Sequence, residues 1–261
     1  MLIDSHVHLN DEILYPRIDE ILTDAKKAGV GFFVCIGYDL TSSALAIEIA
    51  SRYDYVYAAI GFHPSVAQNV KEADYLWLEE NIKHEKVVAV GEIGLDYYWD
   101  KAFVQEQKNV FQRQIEIANK ADIPLIIHMR DAVSDTFEML KKYKKLTLKG
   151  VMHCYSGSVE SMQDFLNLNM KISLAGPVTF KNAKTPKAVA KAIRLEDLLI
   201  ETDAPYLAPA PFRGKTNESS YLGLIAKEIA TIKNVDLELV EAITSRNAID
   251  LFGLGKMSNR N

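Results

Sequence analysis

The sequence predicts a (β/α)8 TIM barrel, and three observations carry the fold. Eight short aliphatic and β-branched runs recur at fairly even spacing, amphipathic stretches separate them, and the length is 261 residues, against about 250 for this fold. Near-continuous apolar strands alternating with helices imply parallel strands buried on both faces. An open doubly wound sheet is the alternative with the same alternation.

In chain order, the strands are expected at LIDSHVH (2–8), GFFVCIG (31–37), YVYAAIG (55–61), KVVAVGEI (86–93), PLIIHM (124–129), GVMHCY (150–155), KISLAG (171–176) and LLIETDA (198–204). Helical periodicity is clearest over 104–120 and 221–233. In the first run, Asp4, His6 and His8 alternate and should project from one face. No linker, low-complexity tract or composition break divides the chain, so one domain over 1–261 is expected.

Composition narrows the class. A 48% hydrophobic content supports a sizeable core, and 25% charged residues is ordinary for a soluble protein. No apolar run approaches the roughly 18 residues of a membrane span. The N-terminus has no basic segment and Asp4 interrupts its apolar stretch, so no secretory leader is expected and the location reads as cytoplasmic. Cys35 and Cys154 do not make a disulfide framework. Cys154 should alternate away from its histidine neighbour and pack against a helix. The net charge of −5 argues against tight non-specific binding to nucleic acid, though not against a strand held in a small basic cleft. The lysine-rich KKYKKLTLK (141–149) reads as a solvated helix end.

The histidines are unevenly placed. His6 and His8 end the first strand, His63 follows the third, His128 ends the fifth and His153 the sixth. Only His84 falls at the opposite mouth. Glu92 ends strand 4 and Asp203 ends strand 8, each interrupting an apolar run where a charge is costly unless paired or metal-bound. The active site of this fold lies at the C-terminal mouth of the strands. Imidazole with carboxylate suits Zn, Mn, Fe or Ni, whereas carboxylate-dominated sites favour Mg or Ca. A single catalytic zinc uses three protein ligands. His6, His8, Glu92, His128, His153 and Asp203 therefore point to two divalent ions (Zn, Mn or Mg), with Glu92 the natural bridge.

DSHVHL, GFHP, VGEIGLDYYWD, IIHMRDA, HCYSG, ETDAPYLAP and RGKTNE, in order from residue 3 to about 222, resemble the TatD-type metal-dependent deoxyribonucleases of the amidohydrolase superfamily. Other amidohydrolases commonly carry a carboxylated lysine on strand 4, where this chain has Glu92. The resemblance implies that His6 and His8 bind one metal with Asp203, that His128 and His153 bind the other, and that Glu92 bridges them. It makes His63 a substrate or phosphate contact. Two positions depart from the family pattern: Ser219 stands where a loop-stiffening proline is expected, and Tyr155 where phenylalanine is usual.

The expected mechanism is hydrolysis by a hydroxide activated between the two metals, with Glu92, Asp203 and His63 as the catalytic set and Asp203 orienting the nucleophile or taking its proton. Asp4 and Glu201 are expected to support the ligands from behind. Arg130, Arg213 and Lys215 are expected phosphate contacts, and Tyr97, Tyr98 and Trp99 are placed either to stack on bases or to pack in the core. The predicted substrate is DNA, single-stranded or at chain ends, degraded as by an exonuclease, with no membrane and no obligate protein partner. A small phosphoester, lactone or amide is the alternative substrate, and a metal-binding scaffold without turnover is the reading from a different class.

Overall fold

The computed structural model describes residues 1–99, 101–143 and 148–255. Strands β1 (Leu2–Val7), β2 (Val30–Ile36), β3 (Val56–Ile60), β4 (Val87–Asp96), β5 (Leu125–Arg130), β6 (Gly150–Met152), β7 (Met170–Leu174) and β8 (Leu198–Ile200) form one parallel sheet in sequence order. Hydrogen bonds between its two ends complete the ring: Asp203 N donates to His6 O (2.9 Å), His8 N to Ala204 O (2.8 Å) and Ser5 Oγ to Ile200 O (2.9 Å). The fold is a (β/α)8 barrel.

Helices α1 (Ile18–Lys27), α2 (Leu40–Arg52), α3 (Glu72–Asn81), α4 (Val104–Ala121), α5 (Val133–Lys141), α6 (Val159–Leu166), α7 (Lys184–Ala192) and α8 (Leu222–Lys233) alternate with the strands, and α9 (Leu237–Phe252) follows. Their starts and faces follow from local sequence. Asp39 and Ser42 form a reciprocal capping box at the head of α2, and α1 buries Ile18, Ile21, Leu22 and Ala25 at helical spacing. No described helix is long and apolar enough to cross a membrane.

The core has two layers. An outer layer packs strands against helices. An inner layer fills the N-terminal half of the barrel with Ile3, Val34, Tyr57, Val88, Ile126, Val151 and Leu199, sealed by Ala248 and Phe252 of α9 and by Leu254. Burying each large aliphatic or aromatic side chain here is worth ~1.5–3 kcal/mol.

Two bulges re-aim the strands. In β1, Asp4 pairs with Phe33 but Val7 pairs with Cys35, so β1 carries one extra residue. In β4, Val90 pairs with Leu125 and Ile93 with Ile127, which places the extra residue at Gly91–Glu92. Such bulges turn a side chain towards or away from a site. The first corrects the expected shared face of Asp4, His6 and His8. Asp4 lies level with Phe33 of the outer layer, and there accepts from Thr202 N (2.9 Å), Thr202 Oγ1 (2.6 Å) and Ser219 Oγ (2.7 Å).

Several expected strands are shorter than their apolar runs. β6 stops at Met152 and β8 at Ile200, because the chain turns off to the mouth, while β4 runs on to Asp96. Cys154 consequently lies beyond β6 in a left-handed conformation (φ 41°), half-buried. The lysine-rich stretch begins at the end of α5, and its residues 144–147 lie outside the described residues.

Candidate metal centre

The C-terminal mouth gathers the six expected side chains. His6, fully buried, and His8, at 5% exposure, come from the end of β1; Glu92 comes from the β4 bulge and His128 from β5. His153 and Asp203 sit on the turns just after β6 and β8. Two glycines permit the close approach. A Cβ on Gly37 would fall 2.5 Å from Ser43 Cα, and the tight turn there lets Gly37 O accept from Glu92 N (2.8 Å). Gly94, at φ +146°, brings β4 so near β5 that a Cβ would overlap His128 O.

Glu92 divides its two oxygens between two groups of histidines. Oε2 lies 3.5 Å from His6 Nε2 and 3.8 Å from His8 Nε2. Oε1 lies 2.8 Å from His128 Nδ1, 2.7 Å from His153 Nε2 and 3.7 Å from His63 Nε2. Asp203 Oδ1 completes the first group, 3.5 Å from His6 Nε2 and 3.4 Å from His8 Nε2. The ring nitrogens of His6 and His8 approach to 3.3 Å, as do those of His128 and His153. Among the described residues three groups hold ligand atoms near enough to share one cation: His6, His8 and Asp203; His6, His153 and Glu201; and His63, Glu92 and His128. Nitrogen and oxygen donors aimed at one another across so short a gap suit divalent ions.

Outer partners set which ring nitrogen faces inward. His8 Nδ1 donates to Ile36 O (3.2 Å), leaving Nε2 for the centre. His128 Nε2 donates to Asp96 Oδ2 (3.0 Å), leaving Nδ1 beside Glu92. His63 Nδ1 accepts from Ser65 N (3.1 Å), so Nε2 carries the proton that faces the site. Gln114 of α4 accepts from Phe62 N (2.8 Å) and donates to Phe62 O (3.0 Å), fixing the backbone just before His63. Glu201, fully buried, accepts from Cys154 N (2.6 Å) and lies 3.5 Å from His153 Nδ1.

Charge state follows from this packing. Burial pushes the Glu92 carboxyl up, but the neighbouring His153 and His63 and hydrogen bonds from His128 and His153 outweigh it and hold it well below the usual range. Asp203 is likewise lowered against its burial by His8, His6 and His153. Burial opposes protonation of His153 and His128, yet Glu92 and Glu201 raise the first well above its ordinary value, and Asp96 and Glu92 raise the second. His63 is pushed down to about 3 by burial and by His128, so it is neutral.

Asp96 was not singled out in the sequence, although it lies at the end of the GEIGLD motif and alternates with Glu92 in register with Arg130. Ser219, one of the two departures from the family pattern, supplies a hydrogen bond to buried Asp4. Asn217 ties its own loop to the preceding one, donating to Thr202 O (2.8 Å) and Tyr206 O (2.7 Å). Of the expected phosphate contacts, Arg130 ends β5 with its guanidinium 3.8 Å from the Tyr98 ring centre and 5.3 Å from that of Trp99. Exposed Arg213 and Lys215 lie over Phe180 and Phe212, so their long side chains are turned to aromatic rings of the rim. Tyr97 packs on the core and donates to Asp135 (2.7 Å), whereas Tyr98 and Trp99 are exposed.

A (β/α)8 barrel whose mouth brings four histidines around two carboxylates defines a metal-dependent hydrolase. The model of the TatD related DNase family matches residues 3–253. The chain is 46% identical over 252 residues, 97% of its length and 99% of the relative's, to the uncharacterized metal-dependent hydrolase YabD of Bacillus subtilis. It is 35% identical over 254 residues, covering 96% of the chain and 95% of the relative, to the uncharacterized metal-dependent hydrolase YcfH of Escherichia coli. The solved structure of YJJV, a TatD homolog from E. coli K12, superposes with a TM-score of 0.92 at 28% identity, covering 97% of this chain and 98% of that one. The chain therefore belongs to the TatD-related DNase family.

Proposed function

We propose that the chain hydrolyses phosphodiester bonds at the ends of DNA strands, using two divalent cations. The division of Glu92's oxygens between the His6–His8–Asp203 group and the His128–His153 pair carries this reading, because one carboxylate facing two donor sets is how a bridged pair is held. The cations supply charge neutralisation at the phosphodiester and water acidic enough to attack it near neutral pH.

The side chains do the rest. Asp203, ionised and only 8% exposed, accepts the proton of the attacking water. His63 presents its Nε2–H to a non-bridging phosphate oxygen. Glu201 and Asp96 hold His153 and His128 in the orientation that exposes the inward nitrogen. Recession favours chain ends. His6, His8, Glu92 and His153 are all at least nine-tenths buried, so a terminal nucleotide reaches them more readily than an intact duplex. Arg130 on the rim offers a guanidinium to the departing backbone.

End-labelled single- and double-stranded DNA incubated with Mg, Mn, Co or Zn tests the reading. Stepwise shortening that stops with EDTA and is lost in Glu92→Ala is expected. Intact DNA alongside hydrolysis of small phosphoesters contradicts it and identifies a small-ester hydrolase.

A further inference from the structure

Beside the centre lies a cleft of about 690 Å³ that the hydrolytic groups leave unused. Asn10, Asp11, Glu12, Tyr15, Tyr38 and Tyr206 line it. Two of its walls touch a candidate ligand: the Tyr38 and Tyr206 rings stand edge-on to His8, with ring centres 5.9 and 5.8 Å away. Its walls are held in place. Tyr206 Oη donates to Asp11 Oδ2 (2.9 Å), and Asp11 Oδ1 accepts from Ile13 N (2.8 Å). Asn10, 8% exposed, donates to Ile36 O and Ser42 O and leaves its Oδ1 without a partner.

The lining contains two carboxylates and neither lysine nor arginine. Elsewhere on the rim, guanidinium groups stand over aromatic rings. Arg130 lies over Tyr98 and Trp99 after β5, and Arg213 over Phe180 after β8. A phosphodiester chain bears a negative charge at each nucleotide, so it is repelled by the first region and drawn to the second. What an acidic cleft walled with aromatic rings accepts is a flat, uncharged group with hydrogen-bond donors on its edge. Among the parts of a nucleotide, only the base answers that description.

We propose that the Tyr38–Tyr206 cleft is the subsite for the terminal nucleobase of the strand being hydrolysed, with the remaining phosphates leaving over Arg130. The base stacks on the tyrosines, and the Glu12 carboxylate accepts from its amino group. Adenine, cytosine and guanine carry such an amino group and thymine does not, so the cleft discriminates against thymine. The proposal rests on the DNA-hydrolysing reading above and adds to it where the strand lies and which ends it prefers.

The test uses metal-loaded enzyme and oligonucleotides differing only in the terminal residue, at the 3′ or the 5′ end: adenine, thymine, or an abasic sugar. Base stacking on an aromatic side chain typically contributes enough for at least about fivefold in kcat/KM over the abasic end. Thymine should fall below adenine by a few-fold. Tyr38→Ala should bring the base-to-abasic ratio close to one, with Tyr206→Ala as the second variant, and Glu12→Lys should favour thymine. Each ratio is taken within one protein preparation, so partial loss of metal or fold cannot imitate the result. Equal rates on all ends, or a preference that survives both tyrosine substitutions, overturn the subsite alone. Failure to shorten any oligonucleotide overturns the subsite and the DNA reading together.

Discussion

At the N-terminal end of the barrel the strands meet in Ile3, Tyr57, Val88, Ile126, Val151 and Leu199, closed over by Phe252 and Leu254. A few residues further along the same strands, the inward side chains are His6, Glu92 and His128, joined by His153 and Asp203 from the turns beyond. The two layers are equally buried and chemically opposite. One is stable because it excludes water. The other buries charge that is tolerable only through mutual pairing and, in use, cations. Substitutions at the bottom should therefore change stability, and those at the top should change metal binding and turnover.

Glu92→Ala should give the largest effect. It removes the carboxylate common to both donor groups, and metal retention and hydrolysis should fall by well over the ~10–100-fold typical of losing an outer partner. Metal analysis of the purified variant, with its melting curve, checks that the fold survives. Asp96→Asn comes next, at ~10–100-fold in metal affinity. The amide would keep its oxygen for Tyr98 N and Trp99 N and turn its NH2 towards His128 Nε2, moving the imidazole proton to the inward nitrogen. Isothermal titration with Mn or Zn reads this directly. Should Asp96→Asn bind metal as wild type does, His128 is not held as described.

Phe252→Ala sharpens the opposite side. Emptying this buried position costs ~3–5 kcal/mol, or roughly 10 °C in Tm for a chain of this size, while metal content per folded molecule stays unchanged. Asp4, which the β1 bulge turns to the outer layer, gives an effect that varies with pH. Burial pushes its carboxyl up to about 7 against hydrogen bonds from Thr202 and Ser219, compared with about 3.9 in an unfolded chain. The group is protonated in the folded state over that interval and ionises on unfolding, so wild type loses stability as pH rises from about 4 to about 7. Asp4→Asn lacks this loss, so its Tm should gain steadily on wild type as pH rises across that window. Parallel melting curves at several pH values measure the difference.

Much of this contrast was legible in the sequence. Each of His6, His8, Glu92, His128, His153 and Asp203 interrupts or ends an apolar run, and an alternating strand pattern with a known mouth is enough to bring them together. What the pattern could not carry was the extra residue of a bulge. Binary alternation placed Asp4 beside His6, whereas the β1 bulge turns it to the outer layer. It also ended β4 too early, which hid Asp96 as the partner of His128. Gln114 was illegible for a different reason. A glutamine on an amphipathic helix reads as a solvated position, and only the packed structure brings it against the Phe62 backbone.

Anomalous diffraction from crystals soaked in Mn or Zn tests the central claim most directly. The account predicts two ion positions per chain, one contacting His6, His8 and Asp203, the other His128 and His153, with a different Glu92 oxygen on each. A single fully occupied ion, or two ions that do not share Glu92, would contradict it.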